Sequence, residues 1–90
     1  MSHPTESINL STTTVIECLR QEVPSVPIDI DHDAELASYG LNSMKLVEVL
    51  FALEDAFAIT IDEDEITETT FYSVRTIVTF LVEDKNVIER

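Results

Sequence analysis

Ninety residues with 18 acids against 5 bases, a formal charge of −13 and 44% hydrophobic residues describe one small acidic domain with a single core. That charge repels nucleic acid phosphates and anionic membrane surfaces, and calls for partners with basic patches. The lone cysteine, Cys18, excludes an internal disulfide and a cysteine-built zinc site, and no apolar run approaches the roughly 18 residues that span a membrane.

The first seven residues are polar, contain Pro4 and show no period, so they read as a mobile tail. A helix comes next, with Ser11 or a neighbouring threonine as cap. Val15, Ile16, Leu19 and Val23 share one face, Cys18 lies near it, and Pro24 ends the run. From Pro24 to Gly40 two prolines and the run Asp29-Ile30-Asp31-His32-Asp33 predict a long connection, with Ile28, Ile30 and Leu36 as its apolar anchors. Connections of this length are uncommon in compact domains and are often functional.

Gly40, the only glycine, marks a turn, and Asn42 and Ser43 behind it are both good helix caps. From Ser43 to Phe57 no glycine or proline interrupts, and Leu46, Leu50, Leu53 and Phe57 recur at helical spacing to form a core face. Met44, Val47 and Phe51 form a second apolar row on another side, bordered by Glu48, Glu54 and Asp55. One small core rarely covers both rows, so the second suits a docking strip, with plain core packing as the alternative.

Ala58 to Ile61 alternates like a strand but has no pairing partner in the chain, and reads as an extended connector. The acidic run from Asp62 to Glu68 predicts one or two helical turns, begun at Asp62 or Asp64. In the last block β-branched residues favour a strand, yet Phe71, Val74, Ile77, Val78, Leu81 and Val82 keep spacings of three and four, which predicts a helix from about Tyr72 to Asp84. The expected architecture is all-α: a small up-down bundle of three main helices plus one short helix, with a long loop between the first two. The folded domain spans residues 8–86, between the tail at 1–7 and a C-terminal tail at 87–90.

A serine at a helix N-terminus is well placed to carry a phosphate, because the free N–H groups and the positive end of the helix dipole favour a negative group there. The stretch Gly40-Leu41-Asn42-Ser43-Met44 resembles the attachment motif of the acyl carrier proteins, except that asparagine stands at the motif's aspartate position. The helix from Leu46 to Phe57 is similar to the family's second helix, and Ile59-Thr60-Ile61 with its trailing acids to the family's next segment, so the likeness runs from about Leu36 to Leu81.

The resemblance implies that Ser43 receives 4′-phosphopantetheine from coenzyme A through a phosphopantetheinyl transferase. Cargo then rides as a thioester on the arm's thiol, and the domain presents it to successive enzymes without doing chemistry itself. Asn42, Met44, Val47, Glu48, Phe51, Glu54 and Asp55 would form the docking surface, met by arginine and lysine of loading and processing enzymes. Lys45 departs from the acid or small polar residue often found at its position in the family, which alters the choice of partners. The expected protein is a cytoplasmic monomer that binds no nucleic acid and inserts in no membrane. An aminoacyl or peptidyl carrier with the same arm, in fatty acid or polyketide chemistry's place, is the nearest alternative. An unmodified acidic interaction module, with Ser43 as a mere cap, is the alternative from another class.

Other chemistries are weaker. Asp29, Asp31 and Asp33 match the first, third and fifth positions of an EF-hand loop, but Ala34 stands at the required glycine and Gly40 at the required glutamate. His3 and His32 lack a ligand constellation, so no metal site is expected. Ser43, His32 and scattered acids name no catalytic triad, and no enzymatic activity is expected.

Overall fold

The computed structural model describes the backbone of residues 4–67, 69–85 and 87, with side chains from Ser11 onward. It is all-helical, with no strand among the described residues: α1 (Pro4–Glu22), α2 (Ser43–Phe57) and α3 (Val74–Asp84) are joined by segments that hold 3-10 turns at Leu36–Tyr39 and Glu63–Glu65. Helix α1 packs on both α2 and α3.

Helix α1 begins at Pro4, earlier than the capping residues near Ser11 suggest. Proline suits a first helical turn because its missing N–H has no intrahelical partner there anyway, and no glycine or proline interrupts before Pro24. Residues 4–7, expected as tail, therefore lie in α1, and residues 1–3 lie outside the described residues. Ser11 is buried inside the helix instead of capping it. Val15, Ile16, Leu19 and Val23 are buried as their spacing predicts, and Cys18 joins them. Its thiol donates to the Ala52 carbonyl of α2 at 3.7 Å. Burial raises the thiol's pKa, with the charge of Glu17 adding to the effect.

The long connection is pinned by Val26, Ile30 and Leu36, all buried, whereas Ile28, one of the expected anchors, is 65% exposed. A tight turn gives the reason: Val26 N–H bonds to Val23 O, and the Arg20 guanidinium bonds to Val26 O, which together turn Val26 inward. Across the fold, Leu36 N–H bonds to Tyr72 O and Arg75 N–H to His32 O, while the Arg75 guanidinium pairs with Asp33. The connection is thus fastened to the start of α3. Asp31 accepts from Asp33 N–H, so two of the three acids in the EF-hand-like run serve the loop itself.

Helix α3 starts at Val74, two residues later than its period predicts, because Ser73 caps it by accepting from Thr76 N–H while Thr76 Oγ1 accepts from Ser73 N–H. Val74, Ile77, Phe80 and Leu81 are buried. The acidic run gives a single 3-10 turn at Glu63–Glu65, where Glu65 accepts from Asp62 N–H and from Lys85 Nζ at the end of α3. Val87, expected in the C-terminal tail, packs half-buried against the core, and residues 88–90 lie outside the described residues.

The bonds from Asp62 N–H and Lys85 hold the Glu65 carboxyl below the ordinary glutamate range. Its stabilising contribution is therefore present at neutral pH and is lost as pH falls through that depressed pKa. Glu65→Gln should lower the urea midpoint at pH 7, and the gap from wild type should narrow as pH falls through the depressed pKa and the wild-type carboxyl becomes protonated. A gap that persists unchanged at acid pH would assign the effect to packing.

Candidate functional site

Leu36 is fully buried, and the 3-10 turn that begins there ends at Gly40 with φ of 107°. Only glycine takes that left-handed angle without strain, so Gly40 turns the chain toward α2. Asn42 then caps α2: its side-chain oxygen accepts from Lys45 N–H at 2.9 Å, and its carbonyl accepts from Leu46 N–H at 2.8 Å. Ser43 is the first residue of the helix and is exposed.

Sequence alone leaves the cap to either residue; the structure gives it to Asn42. Helix bonding begins with Leu46 N–H on the Asn42 carbonyl; of the N–H groups ahead of it, which a helix start leaves without an intrahelical partner, that of Lys45 is taken by the Asn42 side chain, while those of Ser43 and Met44 make no bond within the chain. No acid stands in the first turn. Ser43 thus offers an exposed hydroxyl that the fold does not use, beside two free N–H donors and the positive end of the helix dipole. These features fit a phosphate ester on Ser43.

Along α2, Val49, Leu50 and Leu53 are buried, and Leu46 and Phe57 are half-buried. Val49 joins a core face that helical spacing alone assigns to the leucines. Met44 is 79% exposed, Phe51 64% and Val47 38%, so the second apolar row lies outside the core. Glu48 and Asp55 border it at the surface. Glu54 differs: its carboxylate accepts from Ile61 N–H at 2.7 Å and ties the connector after α2 back onto the helix.

One contributor has no signature in the sequence. Gln21 and Glu22, at the end of α1, line a shallow groove with Glu48, Phe51, Ala52 and Asp55 of α2. A hydrogen bond with the Glu48 carboxyl raises the pKa of Glu22; partial desolvation and the Glu48 charge act in the same direction, and Lys45 opposes them. Nothing in the local sequence around Glu22 signals this, because the contact depends on how α1 crosses α2. On the other side of Asn42, a pocket of about 220 Å³ opens between the connection, the start of α2 and the stretch before α3. Leu41, Leu46, Phe71 and Tyr72 give it largely apolar walls, and Glu35, Ala37, Asn42 and Thr67 complete them.

A family model described as the phosphopantetheine attachment site matches residues 13–81. The chain belongs to this family, whose domain is the attachment site of the 4′-phosphopantetheine prosthetic group, and it is thereby a phosphopantetheine-carrying carrier protein. A search of curated proteins finds no match. Among the described residues, no helix is long and apolar enough to cross a membrane.

The division of labour at the helix start predicts opposite outcomes for neighbouring substitutions. Asn42→Ala should cost about 1 kcal/mol of unfolding free energy, and Asn42→Asp should retain most of that stability, because both native and replacement oxygens cap. Ser43→Ala should stay within about 0.5 kcal/mol of wild type. Chemical denaturation of the three variants measures all of these, and a Ser43→Ala loss as large as that of Asn42→Ala would return the cap to Ser43.

Proposed function

We propose that the protein is an acyl carrier whose Ser43 bears 4′-phosphopantetheine and whose α2 face docks the enzymes that load and process the cargo. The observation that carries this reading is Ser43 itself: exposed, first in α2, and relieved of capping by Asn42. When bound, the arm supplies a terminal thiol that holds cargo as a thioester. The chain's own residues do the rest. Ser43 Oγ forms the ester bond to phosphorus as the nucleotide part of coenzyme A leaves, and the N–H groups of Ser43 and Met44 favour the negative phosphate.

The domain presents cargo and does no chemistry on it, acting as a cosubstrate of its partners. Met44, Val47 and Phe51 form the apolar strip that partners cover, with Asn42 at its head, Glu48 and Asp55 as acids for basic side chains, and Glu54 at the border. The pocket of about 220 Å³ beside Asn42, walled in part by Leu41, Leu46, Phe71 and Tyr72, is in keeping with an acyl cargo. The same chemistry fits either fatty acid or polyketide intermediates, in a reducing compartment and with the protein as a monomer.

Intact mass tests the reading. After incubation with coenzyme A and a broad-specificity phosphopantetheinyl transferase, wild type should gain one phosphopantetheine, and Ser43→Ala should gain none while remaining folded. An unchanged wild-type mass with several competent transferases would make Asn42 the suspect. Failure of Asn42→Asp to gain the arm as well would overturn the carrier reading in favour of an interaction module.

A further inference from the structure

Helix α3 is clipped to the rest of the chain by a basic residue at each end. At its start Arg75 grips the first connection twice: its N–H donates to His32 O at 2.9 Å, and its guanidinium donates from Nε and Nη2 to the two carboxylate oxygens of Asp33. At its end Lys85 donates to both carboxylate oxygens of Glu65, at 3.0 and 2.9 Å. The two clips differ in their surroundings. The side chains of Lys85 and Glu65 are 17% and 31% exposed, those of Arg75 and Asp33 63% and 66%. Water and salt screen the second pair far more, so the start of α3 is held by the weaker clip.

That weaker end borders the pocket beside Asn42. Glu35 and Ala37 of the connection stand on one side of it, Phe71 and Tyr72 ahead of α3 on the other, and Leu36 N–H bonds to Tyr72 O across the seam between them. The grip of Arg75 on His32 and Asp33 braces the same seam. Hydrogen bonding from Arg75, with the charges of Arg75 and His32 adding to it, holds the Asp33 carboxyl below the ordinary aspartate range. The pair therefore stays ionised at neutral pH and answers to salt instead of to a proton.

We propose that this seam is the gate of the pocket and that Arg75 is its latch. The connection and the residues ahead of α3 part there, while the Lys85 end of α3 stays closed, and a neutral apolar group enters between Ala37 and Tyr72. Opening gives up the bonds of Leu36 N–H and Arg75 N–H and the exposed ion pair, whereas the buried side chain of Leu36 keeps its place in the core. Local opening of this kind draws on the least protected hydrogen bonds of a fold. The gate belongs to the unloaded chain and stands apart from the carrier reading.

Amide exchange of the unloaded protein at pH 7, followed by NMR, and uptake of the neutral fluorophore N-phenyl-1-naphthylamine test the gate together. Asp33→Asn and Arg75→Gln should each speed exchange at the amides of residues 36 and 75 about fivefold, and fluorophore association by a similar factor, with the amides of Lys85 and Val87 left at their wild-type rates. High salt should do the same to wild type and add little to either variant. Arg75→Lys, which keeps the charge without the two-pronged bond, should fall between. Ala37→Trp, which fills the pocket from its wall, should abolish uptake. Exchange at residue 36 unchanged in both variants would overturn the latch. Equal acceleration at residues 36, 85 and 87 would mean that α3 detaches as a whole, and would overturn a local gate. Uptake that ignores the variants, or survives in Ala37→Trp, would overturn the link between seam and pocket. None of these outcomes alters whether Ser43 gains an arm, so the two readings fail separately.

Discussion

The position of Ser43 depends on the burial of Leu36. A connection of this length between α1 and α2 would wander unless the chain regained the core before α2 begins, since fixing each extra residue costs about 1–2 kcal/mol of backbone entropy. Leu36 supplies that return: it is fully buried, it donates to Tyr72 O, and its own carbonyl accepts from Leu41 N–H across the 3-10 turn. Once Leu36 is fixed, Gly40 sets the direction of exit, and Asn42 has only to close the first turn of α2. A Cβ at Gly40 would find space, with Val23 Cγ1 at 3.9 Å as its nearest contact. The requirement for glycine there is one of backbone angle and not of crowding.

The surplus of acids is turned partly into structure. Glu54 and Glu65 accept from backbone N–H groups at Ile61 and Asp62, where helical or sheet bonding offers those donors nothing, and Asp31 and Asp33 order the connection. Ionised carboxylates are stronger acceptors than neutral groups, so a carboxylate in such a position stabilises its segment while adding to the net charge. Glu48 and Asp55 remain at the surface of α2, where Glu22 joins them from α1. The acids therefore divide into those tied to a backbone N–H or, for Asp33, to the Arg75 guanidinium, and those such as Glu48 and Asp55 that stay at the surface of α2.

Much of this is legible without coordinates. Helical spacing in α2 and α3 identifies buried faces at Leu50, Leu53, Val74, Ile77 and Leu81, and it identifies a second row on α2 that one core does not cover. Period is reliable there because each helix meets the core along one stripe. The connection is less legible. Ile28 and Val26 are both apolar residues next to prolines, and only the turn from Val23 to Val26 decides which faces inward. The start of α1 escapes a reading by period because its first turns are polar, and Pro4 looks like a breaker when it is in fact an initiator. Glu22 enters the groove for a reason that local pattern does not contain, the crossing of α1 over α2.

At the site itself the sequence supplies two caps in a row, Asn42 and Ser43, and the structure gives the cap to Asn42. A residue that caps a helix has its side-chain oxygen committed to the backbone, so modifying that oxygen removes the cap. If Ser43 were both cap and attachment point, adding a phosphate ester would loosen the first turn of α2. With Asn42 capping, the hydroxyl of Ser43 is free to react while α2 keeps its first turn. Asparagine does this about as well as aspartate, and it brings no negative charge next to the incoming phosphate. On the proposed reading, a group on Ser43 therefore asks nothing of the cap, and the exposed row from Met44 to Phe51 lies on the same helix that the cap holds.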